Sequence, residues 1–246
     1  MEDAETYDSY LVPAIFEPWS RDLIKRALVW KGDRVLDVAC GTGVVACRIA
    51  GTGAKVTGLD TDASRLEVAR KRASEENVSV TWREGSGEAL PFRDPAFELV
   101  TCQQGLQFMT DRAKATREMR RVLLPGGRAV LSCWLPIAQQ GAYAAIDGVA
   151  SKLARPREAS SPIDHETLNK LLLDAKFFAI QIETVTRQVR VPDPARFAAL
   201  SLEWITGAPV SEAVVAEGVE ALTSFIDGDA LQFKMSSLVA VARVKA

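Results

Sequence analysis

The sequence predicts an α/β protein, with a mostly parallel sheet, helices on both faces and a helical cap. Three observations lead there. Short β-branched runs alternate with amphipathic stretches from residue 34 to residue 134. A glycine turn, Gly41-Thr42-Gly43, joins the first run to the helix after it. Beyond Trp134 the alternation lapses into helix-rich sequence and resumes only in two late runs, 180–191 and 231–244.

Taken in order, residues 14–30 place Ile15, Trp19, Leu23, Ala27 and Trp30 three or four apart, the spacing of an amphipathic helix. Pro18 suits its first turn, and Gly32-Asp33 should break it. Residues 34–38 read as the first strand, and a helix follows to Ala50. Residues 55–60 are the second strand, after which Asp62 caps a helix with Leu66, Ala69 and Ala73 inward. Strands are expected at 78–82 and 97–103, then a helix capped by Asp111 and stopped by Pro125-Gly126-Gly127, then a fifth strand at 128–134. Helices are expected over 139–153, 164–175, 194–205 and 211–226. The two late strands complete a seven-stranded sheet, and segments 136–160 and 192–228 form a cap over its C-terminal edge. Open α/β sheets bind their ligands at that edge.

Composition excludes several classes. The formal net charge is −2, with no basic tract of the kind that nucleic-acid binding requires. No apolar run reaches the roughly 20 residues of a membrane span. The opening segment, 1–10, is acidic and polar, unlike a secretory signal. A cytoplasmic location is the expectation. The four cysteines, Cys40, Cys47, Cys102 and Cys133, form no C-x-x-C pair, and His165 is the only histidine. No metal site is expected; the cysteines read as small buried hydrophobes.

The chemistry centres on residues 35–43, VLDVACGTG. Glycines at a strand-to-helix turn let a ligand approach the backbone and leave helix N–H groups free to donate. The same residues also fit a dinucleotide fingerprint, continuing to Ala46. Asp37 weighs against that alternative. A carboxylate at the strand end would repel a pyrophosphate and attract an ammonium group. S-adenosylmethionine carries such an ammonium and no phosphate. Asp60, ending the second strand, offers a carboxylate where a ribose needs an acceptor.

Four stretches, VLDVACGTG at 35–43, GLD at 58–60, GSGEALPF at 85–92 and the run 97–134, together with Tyr7, Tyr10 and Trp19, resemble a family. It is that of the class I S-adenosylmethionine-dependent methyltransferases, in their ubiquinone/menaquinone-biosynthesis-like (methyltransferase type 11) group. The resemblance implies a Rossmann-like three-layer sandwich. It implies that Asp37, Ala39, Gly41 and Gly43 surround the methionine part of the cofactor. Asp60 would hold the ribose, with Thr61 beside the adenine. Ser86 and Gly87 stand where Asp-Ala usually reads the adenine amino group. Gln103 would face the sulfonium, and Trp19 would close over the cofactor. Ala39 and Ser86 depart from the family's usual Gly and Asp.

Methyl transfer from a sulfonium needs positioning and exclusion of water more than a dedicated base. Candidates for an acceptor-side role are Tyr7, Tyr10, Gln104, Gln107 and His165, with Phe108, Trp134 and Tyr143 as pocket walls. Arg117, Arg120 and Arg121 read as a solvated helix face, as do Arg70, Lys71 and Arg72. The whole chain reads as one domain, with N-terminal lid helices over about 1–31. The expectation is transfer of a methyl group to an O, N or C atom of a partly apolar small molecule, releasing S-adenosylhomocysteine. Two alternatives stay open. One is a relative that binds the cofactor without turnover. The other is a nicotinamide oxidoreductase, although Tyr143 is followed four positions on by Asp147 and not the lysine that reaction favours.

Overall fold

The computed structural model describes residues 4–93, 95–153 and 162–246. The chain opens with a helical turn, α1 (Ala4–Thr6), then winds as a π-helix over Tyr7–Phe16 into α2 (Glu17–Ala27). A single helix over 14–30 was expected, and it differs at both ends. Pro13 has no N–H to offer an α-helical ladder. The chain takes the wider i→i+5 turn there instead, and the Glu17 N–H donates to the Val12 carbonyl. At the far end Leu28 adopts a left-handed backbone, φ 47°, and stops the helix before Gly32 is reached.

The central alternation follows: β1 (Arg34–Val38), α3 (Val44–Ala50), β2 (Lys55–Asp60), α4 (Ala63–Glu75), β3 (Val80–Glu84), β4 (Phe97–Gln103), α5 (Arg112–Arg121) and β5 (Leu123–Trp134). Strand β3 starts two residues later than its alternation suggested. The Val78 N–H is taken by the Ala73 carbonyl at the end of α4, so the chain is still closing the helix there. Then come α6 (Ala142–Ala150), α7 (His165–Asp174), β6 (Phe178–Pro192), α8 (Pro194–Thr206), α9 (Glu212–Ala221), the two-residue β7 (Ile226–Asp227) and β8 (Ala230–Arg243). Asp62, Asp111, Asp164, Asp193 and Ser211 each cap the helix that follows.

The strands lie in the order β3-β2-β1-β4-β5-β8-β6, with β7 pairing on β8. The sheet therefore has eight strands; the seven expected are joined by the short β7, which a turn of Gly228 folds back on β8. β1 to β5 are mutually parallel, and β8 runs antiparallel between β5 and β6. One face packs Val35, Leu99, Val130 and Val239 under Leu23 and Ala27 of α2 and Val45 of α3. The other packs Leu36, Val100 and Leu131 under Met119 of α5 and Leu168 and Leu172 of α7. A third apolar cluster joins Tyr10, Ile15 and Trp19 to Ile146 of α6, Phe197 and Leu202 of α8 and Phe233 of β8. It is the cap, built on the long ends of β6 and β8 that project past the parallel strands. Residues 154–160 of the expected cap lie outside the described residues. β1 sends its chain to β2 on one side while β4 lies on the other, so a crevice opens at the C-terminal ends of β1 and β4.

Candidate functional site

Strand β1 carries Asp37 to that crevice, where it is 1% exposed. Its Oδ1 accepts a 2.8 Å bond from the Thr101 hydroxyl of β4. Its Oδ2 is buried with no hydrogen-bond partner. Burial pushes the carboxyl up to about 7, and neighbouring Asp60 adds to the rise, while the Thr101 bond opposes it. An orphaned carboxylate oxygen costs free energy that a bound cation would recover.

The turn after β1 is strained in a purposeful way. Ala39, Gly41 and Gly43 have φ of 55°, 53° and 83°. The two glycines are required for different reasons. A Cβ on Gly43 would lie 2.7 Å from the Trp82 ring, so this residue lets α3 close onto β3. A Cβ on Gly41 would meet nothing within 4 Å and project into open space. Gly41 thus bares its backbone to the crevice. Its N–H donates to Asp60 Oδ2 at 2.7 Å, and Asp60 Oδ1 accepts from the Asp62 N–H at 3.0 Å. Asp60 is buried, while Thr61 beside it is exposed.

Ser86 and Gly87 follow β3. The Ser86 hydroxyl accepts the Glu88 N–H at 3.1 Å and its carbonyl accepts the Ala89 N–H, which makes a tight turn. A Cβ on Gly87 would stand 2.7 Å from Met109 Cε and 2.9 Å from Val38 Cγ1. Any side chain there would wedge the turn off the end of β1.

The N-terminal segment covers the crevice. Gln103, at the end of β4, donates from Nε2 to the Phe16 carbonyl at 3.0 Å, and its Oε1 is buried without a partner. Trp19 stacks edge-on against Trp134 with ring centres 5.0 Å apart, and its Nε1 also lacks a partner. Arg72 secures the segment from below. Its Nη2 reaches Asp8 at 2.6 Å and its Nε donates to the Thr42 carbonyl at 3.1 Å. The sequence assigned Arg72 to a solvated face, and only the folded chain brings Asp8 and Thr42 to it. Arg121 is likewise no solvated residue. It bonds Glu118 and the carbonyls of Leu90 and Phe92, tying α5 to the loop before β4. The Arg121–Glu118 pair is an i,i+3 helix spacing, but no short-range signal marks the contacts to Asp8, Thr42, Leu90 or Phe92.

The acceptor-side candidates are scattered. The Tyr7 ring lies 5.1 Å from Phe16 and under the Arg65 guanidinium. The Tyr10 hydroxyl is turned to the Pro192 and Asp193 carbonyls, 2.6 and 3.1 Å away. Gln104 and Gln107 are buried. Gln104 Nε2 donates to Ser237 of β8 at 3.0 Å, and Gln107 Oε1 accepts the Trp134 N–H at 3.2 Å. His165 is exposed in the first turn of α7. Tyr143 packs against Phe197 and Phe233 inside the cap. Phe108 is different. It is 55% exposed on the 3-10 turn after β4 and meets Trp204 of α8, itself 44% exposed, edge to face at 6.4 Å. Trp204 drew no attention in the sequence because its only signal is exposure. Among the described residues, no helix is long and apolar enough to cross a membrane.

Known proteins share this fold. The family model for a methyltransferase domain matches residues 36–131, the span from β1 to β5. The ubiquinone/menaquinone biosynthesis C-methyltransferase of Francisella philomiragia is 31% identical over 189 residues, covering 68% of this chain and 76% of that relative. Its counterpart in Pectobacterium carotovorum is 34% identical over 68% of this chain and 75% of that relative. Among solved structures, the YcgJ protein of Bacillus subtilis superposes with a TM-score of 0.67 at 19% identity, over 92% of this chain and 98% of that one. Phosphoethanolamine N-methyltransferase 2 of Haemonchus contortus, in complex with S-adenosylhomocysteine, superposes with a TM-score of 0.63 at 19% identity, over 93% of this chain and 53% of that one. With an orphaned carboxylate and a bare glycine turn at the crevice of this fold, the chain belongs to the S-adenosylmethionine-dependent methyltransferases, the family of the ubiquinone/menaquinone C-methyltransferases.

Proposed function

We propose that the chain, acting as one domain, methylates a partly apolar small molecule that enters between the cap and the turn after β4. When bound, S-adenosylmethionine supplies an electrophilic methyl group on a sulfonium. The residues present fit that cofactor. The unpartnered Asp37 Oδ2 takes its ammonium, and the bare Gly41 backbone and Ala39 line its methionine part. Asp60 already accepts two backbone N–H bonds, and each carboxylate oxygen keeps a second lone pair for a ribose hydroxyl. Thr61 and the Ser86–Gly87 turn flank the adenine. The Ser86 hydroxyl serves its own turn, so adenine is read more by the Gly87 backbone than by a side chain. Gln103 and Trp19 roof the methionine end with polar atoms free to bind.

One observation carries the acceptor class. Phe108 and Trp204 leave two aromatic rings half-exposed and in mutual contact where cap and cofactor crevice meet. An apolar acceptor would cover them. The curated relatives carry ubiquinone/menaquinone biosynthesis in their names, which supports a ring-bearing acceptor. Tyr7 is the acceptor-side candidate left nearest the roof. The Tyr10 hydroxyl and Gln107 Oε1 are spent on the fold, Gln104 spends its Nε2 there but keeps a buried Oε1 without a partner, and His165 stands in the exposed first turn of α7. A cytoplasmic location fits four buried, free cysteines.

The test is turnover of S-adenosylmethionine against a panel of aromatic, aliphatic and amine acceptors. It is read with wild type and with Phe108→Ala and Trp204→Ala. Apolar ring acceptors should be methylated, and both variants should raise KM for them while S-adenosylhomocysteine binding is unchanged. Turnover confined to small hydrophilic amines would overturn the acceptor class.

A further inference from the structure

The end of the sheet opposite the crevice has a composition that methyl transfer does not call for. The first residues of β1, β2 and β6 and the last of β8 meet there. Arg34 lies beside Lys55, Arg128 beside Arg243, and Phe178 beside Arg243. Four of the seven large apolar side chains exposed among the described residues belong to this end: Leu28 at 59%, Trp30 at 70%, Leu173 at 52% and Phe178 at 38%.

These tips sit on pinned turns. The Leu28 carbonyl accepts Arg128 Nη2 at 2.7 Å, and Leu28 holds φ 47°. Trp30 is locked by Asp33, whose N–H donates to its carbonyl and whose carboxylate accepts its N–H. Lys176, at φ 67°, returns its N–H to the Leu173 carbonyl, which turns Phe177 into the core and Phe178 outward. Singly exposed apolar side chains are ordinary, but several gathered on fixed backbone at one end of a molecule mark an interaction surface.

The charges around the tips are one-sided. The carboxylates of Asp33, Glu98 and Asp174 are each engaged, by Arg128, Arg34 and Lys170. Lys31, Lys55, Lys176, Arg243 and Lys245 are exposed, and none has a carboxylate within ion-pair distance among the described residues. Glu75 and Glu76 end α4 at this same end, by the start of β3 and one strand from Lys55, and Glu76 is paired with Arg72, so these two carboxylates leave the cations in excess. A local excess of cations thus stands on a chain whose net charge is −2. A pocket of about 270 Å³ opens among Arg26, Leu28, Arg128 and Arg243.

Tryptophan and leucine tips ringed by lysine and arginine match the boundary of an anionic bilayer. There an aromatic ring sits at headgroup depth and each nearby cation adds attraction. A protein groove would more often take such side chains from a concave wall, and nucleic acid would leave the apolar tips uncovered. We infer that this end of the molecule docks on an anionic lipid surface, with Leu28, Trp30 and Phe178 at the headgroup–acyl boundary. Lys31, Lys176, Arg243 and Lys245 face the lipid phosphates, and the crevice faces away from the membrane.

The full chain tests this by co-sedimentation with vesicles of phosphatidylglycerol and phosphatidylcholine, against vesicles of phosphatidylcholine alone. Binding should require phosphatidylglycerol. It should weaken as salt rises from about 0.1 M to about 1 M, where screening shortens from about 10 Å to about 3 Å. Lys31→Glu and Arg243→Glu should each weaken it by at least about fivefold. Trp30→Ser should weaken it too and abolish a blue shift of the tryptophan emission. S-adenosylhomocysteine binding should be unchanged in all three variants, which also shows that they fold. Failure of the wild type to bind phosphatidylglycerol vesicles would overturn the inference. So would equal binding to neutral vesicles, or binding indifferent to Trp30 and matched by a short DNA duplex.

Discussion

The Gly41 N–H donates to Asp60 Oδ2 at 2.7 Å, so the turn after β1 and the end of β2 form one unit. Asp60 therefore has a task besides the ribose contact proposed for it: it fixes the loop that would meet the methionine. Asp60→Ala should weaken S-adenosylhomocysteine binding more than tenfold, about 1.4 kcal/mol, by calorimetric titration. Asp60→Asn keeps one acceptor oxygen and should lose less. Equal affinity in wild type and Asp60→Ala would remove Asp60 from the site.

Asp37 gives the ligand-free protein a pH signature. Its folded-state carboxyl is raised to about 7 from an ordinary value near 3.8, chiefly by burial. The folded state thus holds a proton that the unfolded chain releases, and stability from this group is complete below about pH 4. It is lost as pH rises toward and through about 7. A ligand ammonium group beside Asp37 reverses the preference, so S-adenosylhomocysteine should bind more tightly as pH climbs to about 7 and then level off. Asp37→Asn should bind weakly with a flat profile over that window, and a wild-type profile that is flat as well would contradict the assignment.

Two glycines should separate folding from binding. Gly127→Ala puts a Cβ 2.9 Å from the Leu124 carbonyl and 3.2 Å from Leu123 Cδ2, beside Arg128 at the end of the sheet opposite the crevice. It should destabilise the fold by about 1–3 kcal/mol in urea unfolding. Gly41→Ala meets no atom but must hold φ 53° and projects into the crevice. Its stability cost should stay near about 1 kcal/mol, while cofactor affinity falls by far more than that of Gly127→Ala measured on folded protein.

The Tyr10 hydroxyl reaches the Pro192 and Asp193 carbonyls, where β6 passes into α8. Tyr10→Phe should lower stability by about 0.5–1.5 kcal/mol and leave turnover with a good acceptor within about twofold. A loss of turnover beyond a hundredfold at unchanged cofactor affinity would instead make Tyr10 a catalytic group.

Local chemistry was legible in the chain. Strand-to-helix alternation, the VLDVACGTG turn and the aspartate caps are short-range signals, because backbone sterics and hydrogen-bond geometry act within a few residues. They placed the parallel strands, the crevice and Asp37, Gly41, Gly43 and Asp60 around it. Boundaries shifted where a neighbour intervened, as at Pro13, Leu28 and Val78. What tertiary structure decided is which distant groups meet. Arg72 left its solvated helix face because the fold carried Asp8 and Thr42 to it. Gln104 and Gln107 became sheet-edge anchors because β8 and β5 arrived beside them. Phe108 and Trp204, nearly a hundred positions apart, touch only once the cap closes over the sheet. Sequence encodes each residue's local preference, whereas a pairing across the fold exists only when the whole core has condensed and fixed the distance between its partners.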